Sequence, residues 1–190
     1  MPIPDKMLSA FSTSIWAKVC LLREAQLSER HTKRVKESIS DDIKKCTDCT
    51  DTRASVAAYE KAHDMKIDLA QMGWHDQPRF DPKRKIFHRD HTITVETIRQ
   101  QCLDAQSIEL IRVALESSIV SWILKSEDRR LTANGHRSLR PDWKHAYQQA
   151  GITLKEENPE QIGAVNPHAC GTSGISPAEQ ARMPEASGDT

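Results

Sequence analysis

The sequence predicts a mainly α-helical protein with a small α+β C-terminal unit. Apolar residues recur at helical spacing through the first 70 residues, and short stretches near 85–95 and 119–124 have the pattern of strands. The 190 residues are 37% apolar and 28% charged. A body of about 150 residues buries roughly two-thirds of the surface that its unfolded chain exposes. This composition excludes an entirely disordered chain.

The first 73 residues predict three helices. Apolar side chains at intervals of three and four residues predict an amphipathic helix over residues 5–28 and a second, more polar helix over 32–46. A third helix is expected to begin at Thr50–Thr52 and to end at Gly73. This region therefore forms the helical half of the protein.

Residues 74–154 predict a mixed α+β region. Residues 73–84 are a loop broken by glycine and proline, and alternation over 85–95 and a compact apolar run at 119–124 predict two strands. The predicted helices are 95–103, 108–115, one that starts at Ser126 and stops at Asn134-Gly135, and one that has Pro141 in its first turn and ends at Gly151.

Charge is unevenly distributed, although Lys+Arg and Asp+Glu are equal at 27 each. Residues 1–154 contain 25 basic and 21 acidic side chains, whereas residues 155–190 contain two basic and six acidic ones. The tail is rich in Pro, Gly, Ser, Ala and Glu, a composition typical of disorder. We therefore expect a helical region at 1–73, an α+β region at 74–154 and a disordered acidic tail at 155–190.

Targeting signals are not evident in the sequence. The N-terminal apolar stretch is interrupted by serines and a lysine, and no run approaches the roughly 20 apolar residues that span a bilayer. The five cysteines form an odd, scattered set. We therefore expect a cytoplasmic protein with free thiols and no membrane contact.

The strongest chemical signal is the tetrad His88-Arg89-Asp90-His91. On a strand, His88 and Asp90 share one face and His91 points to the other, whereas a turn at Asp90 would bring Asp90 and His91 together. A carboxylate suits a hard divalent metal, and a neutral imidazole takes a proton from water near neutral pH. The tetrad therefore predicts a site for metal-assisted phosphodiester hydrolysis, with a surface turn that caps a helix as the structural alternative.

The tetrad resembles the first half of the HNH, or ββα-metal, nuclease motif, in which a strand carries an Asp-His pair before a turn that leads to the metal-binding helix. The resemblance implies that Asp90 binds a divalent metal (Mg²⁺, Mn²⁺ or Zn²⁺) and that His91 is the general base. In the nuclease hypothesis His88 is a further candidate, either as a metal ligand or as a residue that supports one. The third ligand is not assigned.

A wider similarity extends from His91 to Ile152. The segment Ser121–Leu131, together with Ala146-Tyr147 and Ala150-Gly151-Ile152, is similar to a group of small phage and bacterial proteins that are loosely described as HNH-like. This similarity implies a related fold.

Basic residues near the tetrad and near the loop between the last two predicted helices are candidates for binding nucleic acid. They are Lys83, Arg84, Lys85, Arg89, Arg129, Arg130, Arg137 and Arg140. A single basic surface would give salt-dependent affinity for phosphates, whereas Asp128 and Asp142 among these bases are typical of ordinary solvated faces. We expect a nucleic-acid partner, with DNA favoured over RNA.

Cys46-Thr47-Asp48-Cys49 is a CxxC sequence. It could form half of a zinc site that His31 and His63 complete, or a redox pair, but a second CxxC and a βαβ context are missing from the sequence. We favour two ordinary thiols near a helix end.

Two hypotheses of different classes follow. The first is a nucleic-acid-acting protein, in its sharper form a metal-dependent HNH-like endonuclease. The second is a non-catalytic binding or regulatory protein, carried by a phage or plasmid, whose helices at 5–28 and 32–46 contact a protein partner or a second copy of the chain.

Overall fold

A computed structural model of the chain describes residues 3–138 and 140–155. These residues confirm the predicted fold class, because they form eight α-helices and one small sheet of three strands. None of the helices in this part of the chain is both long enough and apolar enough to cross a bilayer. The disorder expected of the tail concerns residues outside the described ranges. The elements are α1 Asp5–Glu24, α2 Glu29–Thr47, β1 Thr52–Ala54, α3 Val56–Asp64, α4 Gln77–Phe80, β2 Phe87–His91, α5 Val95–Asp104, α6 Ile108–Glu116, β3 Val120–Leu124, α7 Lys125–Ala133 and α8 Trp143–Gln149.

Four helices, α1, α2, α5 and α6, pack on one another and enclose the largest buried cluster in the described residues. Ile15 of α1, Ile39 and Ile43 of α2 and Ile111 of α6 are all completely buried there. The apolar faces of α1 and α2, which the sequence left open for a partner, are therefore covered within this chain. The same packing joins elements from both sides of residue 73 in one core.

The sheet has the strand order β1-β3-β2, so β3 is central and β2 lies at an edge. β1 runs parallel to β3, and β2 runs antiparallel to it, with His88 opposite Ile123 and Asp90 opposite Ser121. One face of the sheet packs on α7 and α8, where Tyr147 contributes to the core. The other face carries Trp122, which packs on α3. Both predicted strands are confirmed within their predicted ranges.

The third predicted helix is wrong in its extent. Thr52–Ala54 forms β1 instead of the first turn of a helix, and α3 spans only Val56–Asp64. α3 begins late because the Ser55 hydroxyl accepts a hydrogen bond from the Ala58 amide, at 3.1 Å, and so caps the helix there. α3 is followed by Lys66 in a left-handed conformation with φ +57°, which ends the helical path well before Gly73.

Two other helix starts differ from prediction. α7 begins at Lys125 because the Glu127 carboxylate accepts a hydrogen bond from the Leu124 amide at 2.7 Å, so the capping position precedes Ser126. α8 begins at Trp143, since Asp142 is the cap and accepts from the His145 amide at 3.1 Å. Pro141 therefore lies before the helix rather than in its first turn. In addition, α1 ends at Glu24, and the predicted loop 73–84 contains the short helix α4.

Candidate functional site

A cavity of about 600 Å³ lies at the free edge of β2, and we call it the β2-edge cavity. Its walls include residues 88–91 of β2, the C-terminal half of α2, Trp74, the first turn of α5 and the loop after α7. Consecutive residues of β2, which alternate between the two faces of the sheet, line the cavity. The complete tetrad thus lies at a single concave surface.

Asp90 is held by an internal network. Both guanidinium nitrogens Nη1 and Nη2 of Arg140 donate to its carboxylate, the latter at 3.1 Å, and the Tyr147 hydroxyl donates to it at 2.7 Å. The side chains of Asp90 and Arg140 are only 8% and 2% exposed. Burial, reinforced by the charge of Asp90, raises the pKa of Tyr147. The carboxylate is therefore paired and hydrogen-bonded on several sides.

His88 lies on the same face of β2 as Asp90, as the strand alternation predicts. Its Nδ1 atom is 3.0 Å from Lys125 Nζ. Because an ammonium group only donates, Nδ1 accepts and the proton of the neutral ring is on Nε2. Nε2 faces Asp128 Oδ1 at 3.6 Å and Asp90 Oδ1 at 4.0 Å. Burial lowers the pKa of His88, Asp128 opposes the shift and Lys125 adds to it.

His91 points to the opposite face, towards the end of α2, so no turn brings it together with Asp90. The Thr47 hydroxyl donates to the Lys44 carbonyl oxygen at 2.9 Å and is 2.9 Å from His91 Nε2. With its hydroxyl proton directed at Lys44, Thr47 Oγ1 accepts from His91 Nε2, and on this basis we assign the ring proton to Nε2. Burial, followed by the charge of Arg89, lowers the pKa of His91 to about 4.

The Nδ1 atom of His91 consequently has a free lone pair. It has no hydrogen-bond partner among residues 3–138 and 140–155. The buried side-chain atoms without a partner in this part of the chain are Gln77 Oε1, Arg89 Nε and Arg99 Nε. Nδ1 is not one of them, so it has access to solvent, and His91 lines the cavity.

The donor set around Asp90 does not fit a divalent metal in this arrangement. The Arg140 guanidinium occupies the position at the carboxylate that a cation would take, and His91 faces the other side of the strand. No group of three or more His, Cys, Asp or Glu side chains within the described ranges is arranged to hold a metal ion. The sequence predicts metal-dependent hydrolysis, with Asp90 and His88 as ligands and His91 as base. That activity stays a prediction.

Two of the eight basic candidates are buried. Arg89 forms an ion pair with Asp48, and its side chain is 3% exposed, while Arg140 is committed to Asp90. Both guanidinium groups are paired with carboxylates of the same chain, and their contact with nucleic acid stays a prediction. Arg137 is exposed and lines the cavity.

The other five candidates are distributed around the α7 helix and the segment before β2. Arg84 stacks on the Trp74 ring, 3.5 Å from its centroid, so it adjoins the cavity wall. Arg130 donates to the Ala150 carbonyl oxygen at 2.6 Å. Lys83, Lys85 and Arg129 are exposed and are not part of the cavity wall.

Comparison with protein-family models, with curated proteins and with solved structures finds no match for this chain.

Sequence reasoning missed several side chains of the site. Lys44 and Thr47 approach the tetrad from α2, and Tyr147 approaches it from α8. Trp74 forms part of the cavity wall. Nothing local distinguishes these residues in the sequence, because each meets the tetrad only through tertiary folding.

The CxxC thiols lie where α2 ends. Cys46 is completely buried, and Cys49 is half-buried. Burial, with smaller effects of Cys49 and Asp42, raises the pKa of Cys46 to about 12. A thiol with such a pKa is protonated and inert at neutral pH, which agrees with a packing role.

Proposed function

We propose that the protein binds nucleic acid at the β2-edge cavity, with Lys44 and Arg137 contacting backbone phosphates. The observation that carries this proposal is the pairing of charges around the cavity. Every carboxylate in the wall forms an ion pair with an arginine of the same chain, whereas the exposed cations of the wall form no ion pair with a carboxylate of the wall.

The carboxylates of the wall are neutralised by three ion pairs. They are Asp48 with Arg89, Asp90 with Arg140, and Glu96 with Arg99. Arg137 has no ion-pair or hydrogen-bond partner among the described residues, and Lys44 pairs only with Asp41 at 3.2 Å, where both side chains are more than half exposed. Such an exposed pair contributes little and leaves the ammonium group available to an anion.

The two exposed cations come from different elements that meet at the cavity. Lys44 belongs to α2 and is close enough to His91 to lower the pKa of that ring, and Arg137 follows α7. Trp74, with Arg84 stacked on one face of its ring, adds an aromatic group to the same wall. Cations that follow a backbone and an aromatic ring on which a base stacks are the usual elements of single-strand binding.

Fluorescence anisotropy with labelled 12-nucleotide RNA and DNA strands, between 50 and 200 mM salt, tests the proposal. We expect binding that weakens with salt. In Lys44→Gln/Arg137→Gln the dependence of log K on log salt should become shallower by about 1.4, because each phosphate contact on a single strand contributes about 0.7 to that slope. Arg34→Gln removes one charge from the same helix as Lys44, about 15 Å away along α2, and serves as the control.

Either of two results would overturn the proposal: no detectable binding to any strand at 50 mM salt, or a double variant that is folded and keeps the wild-type slope. If Arg34→Gln alone made the slope shallower by half as much as the double variant does, the affinity would depend on the net charge of the protein and not on the cavity.

The same material tests the nuclease hypothesis. Supercoiled plasmid and single-stranded RNA are incubated with Mg²⁺ or Mn²⁺ and the wild-type protein, Asp90→Asn or His91→Ala. Cleavage that needs the metal and is lost in both variants, with both folded, would establish catalysis at the tetrad. Binding without cleavage would assign the cavity to recognition alone.

A further inference from the structure

We infer that the β2-edge cavity selects RNA over DNA, because His91 Nδ1 accepts a hydrogen bond from a ribose 2′-hydroxyl. This inference rests on the proposed function and names the substrate class of the same site. It departs from the sequence expectation, which favoured DNA.

The contacts of Thr47 assign the ring proton of His91 to Nε2 and leave Nδ1 as the acceptor. Thr47 donates its only hydroxyl proton to the Lys44 carbonyl oxygen, and its oxygen therefore accepts from His91 Nε2. On this assignment the ring presents an acceptor and no donor at Nδ1, which is not among the fully buried unpartnered atoms and belongs to a residue that lines the cavity. Because Thr47 is completely buried, this arrangement of the ring is held by the protein interior.

An acceptor at this position is complementary to one backbone group. Phosphate and ring oxygens of a nucleic-acid backbone only accept hydrogen bonds, whereas the 2′-hydroxyl of RNA also donates. A DNA strand held by Lys44 and Arg137 would leave Nδ1 either with water or without a partner. Base amino groups also donate, but they differ between bases, so they would give a preference for sequence and not for the sugar.

The depressed basicity of His91 agrees with acceptance of a hydrogen bond more than with removal of a proton. With a pKa of about 4, the ring is neutral at physiological pH and is a weak base in a transition state. It thus remains an acceptor throughout the range in which RNA is bound.

Three 12-nucleotide strands of one sequence separate the possibilities: RNA, DNA and RNA methylated at every 2′-oxygen. Each is titrated with the wild-type protein, His91→Leu, His91→Asn and Thr47→Val. We expect the wild-type protein to bind RNA about fivefold more tightly than DNA, as one hydrogen bond predicts, and to bind methylated RNA like DNA.

The ratio of RNA to DNA affinity should fall to about one in His91→Leu. It should stay above one in His91→Asn, since the amide oxygen of Asn takes the place of Nδ1. In Thr47→Val the imidazole remains but its proton is free to move to Nδ1, so the ratio should also fall. This variant tests whether Thr47 positions the ring. If Thr47 only packed in the core, its replacement by valine would leave the ratio of RNA to DNA affinity unchanged.

Equal affinity of the wild-type protein for RNA and DNA would overturn the inference and leave the proposed function intact. A ratio that persists in folded His91→Leu, or methylated RNA that binds as tightly as RNA, would also overturn the inference alone. Absence of binding to all three strands would overturn both.

Discussion

Replacing Arg140 by methionine tests whether Asp90 has the structural role that its contacts indicate. The substitution keeps an unbranched apolar chain but removes both guanidinium hydrogen bonds to a carboxylate that is 8% exposed. Removing one partner of such a pair leaves a buried carboxylate without its counter-ion, with the Tyr147 hydroxyl as its remaining donor, and we expect the free energy of unfolding to fall by about 3–5 kcal/mol. Denaturant unfolding at pH 7, followed by circular dichroism, measures the loss.

A second substitution, made in addition to Arg140→Met, tests the same reasoning by the direction in which it changes stability. Adding Asp90→Asn to Arg140→Met removes the stranded charge, so the double variant should be more stable than Arg140→Met alone. Arg34→Met, at a side chain that is 74% exposed, is the matched control and should change stability by at most about 0.5 kcal/mol. The reasoning is refuted if Arg140→Met costs less than about 1 kcal/mol, or if Asp90→Asn destabilises it further.

Three further predictions use the same unfolding measurement. Folding lowers the pKa of His91 from 6.5 to about 4, so between these pH values the unfolded chain binds a proton that the folded protein does not bind. The stability that depends on a neutral His91 is therefore fully present above pH 6.5, and the free energy of unfolding falls by about 2 kcal/mol between pH 7 and pH 5. His91→Asn should remove that part of the pH dependence, and an unchanged profile would exclude His91 as its source. Glu127→Ala should cost about 2–3 kcal/mol, since the buried carboxylate accepts from the Ser55 hydroxyl and the Leu124 amide, both at 2.7 Å. Ser126→Ala next to it should stay within about 0.5 kcal/mol, and equal losses would contradict the assigned cap. Gly135→Ala should cost about 1–2 kcal/mol because Gly135 has φ +81°, and a neutral result would show that the turn after α7 relaxes.

The sequence predicts the helices in which apolar residues recur regularly over many positions. It misses the strand β1, which is too short to show such a pattern. Each of α1, α2, α5 and α6 buries one continuous stripe, so the spacing of its apolar residues is visible without knowledge of its partners. β1 has only three residues, all half-buried, and is a strand because it pairs with β3 far along the chain. Three residues are too few for an alternation to be recognised.

The tetrad was found because its four residues are adjacent, but its chemistry depends on distant residues. Arg140 and Tyr147 are 50 and 57 positions from Asp90. Without them Asp90 has the character of a metal ligand, and with them it is one half of a buried ion pair. The tautomer of His91 is similarly set by Thr47, 44 positions away. A residue type at a given spacing indicates what a site could do, while the partners decide which of its atoms are free.

The position of β1 has a consequence for synthesis of the chain. β1 is bordered by β3 on one side and by residues 153–155 on the other, where the Val56 amide donates to the Thr153 carbonyl oxygen and the Lys155 amide donates to the Ala54 carbonyl oxygen, both at 2.9 Å. Both neighbours leave the ribosome about 65 to 100 residues after β1 itself, a separation that slows folding. Until then the emerging chain exposes Ser55 and its flanking strand without their partners, and a fragment that ends at residue 73 would never acquire them.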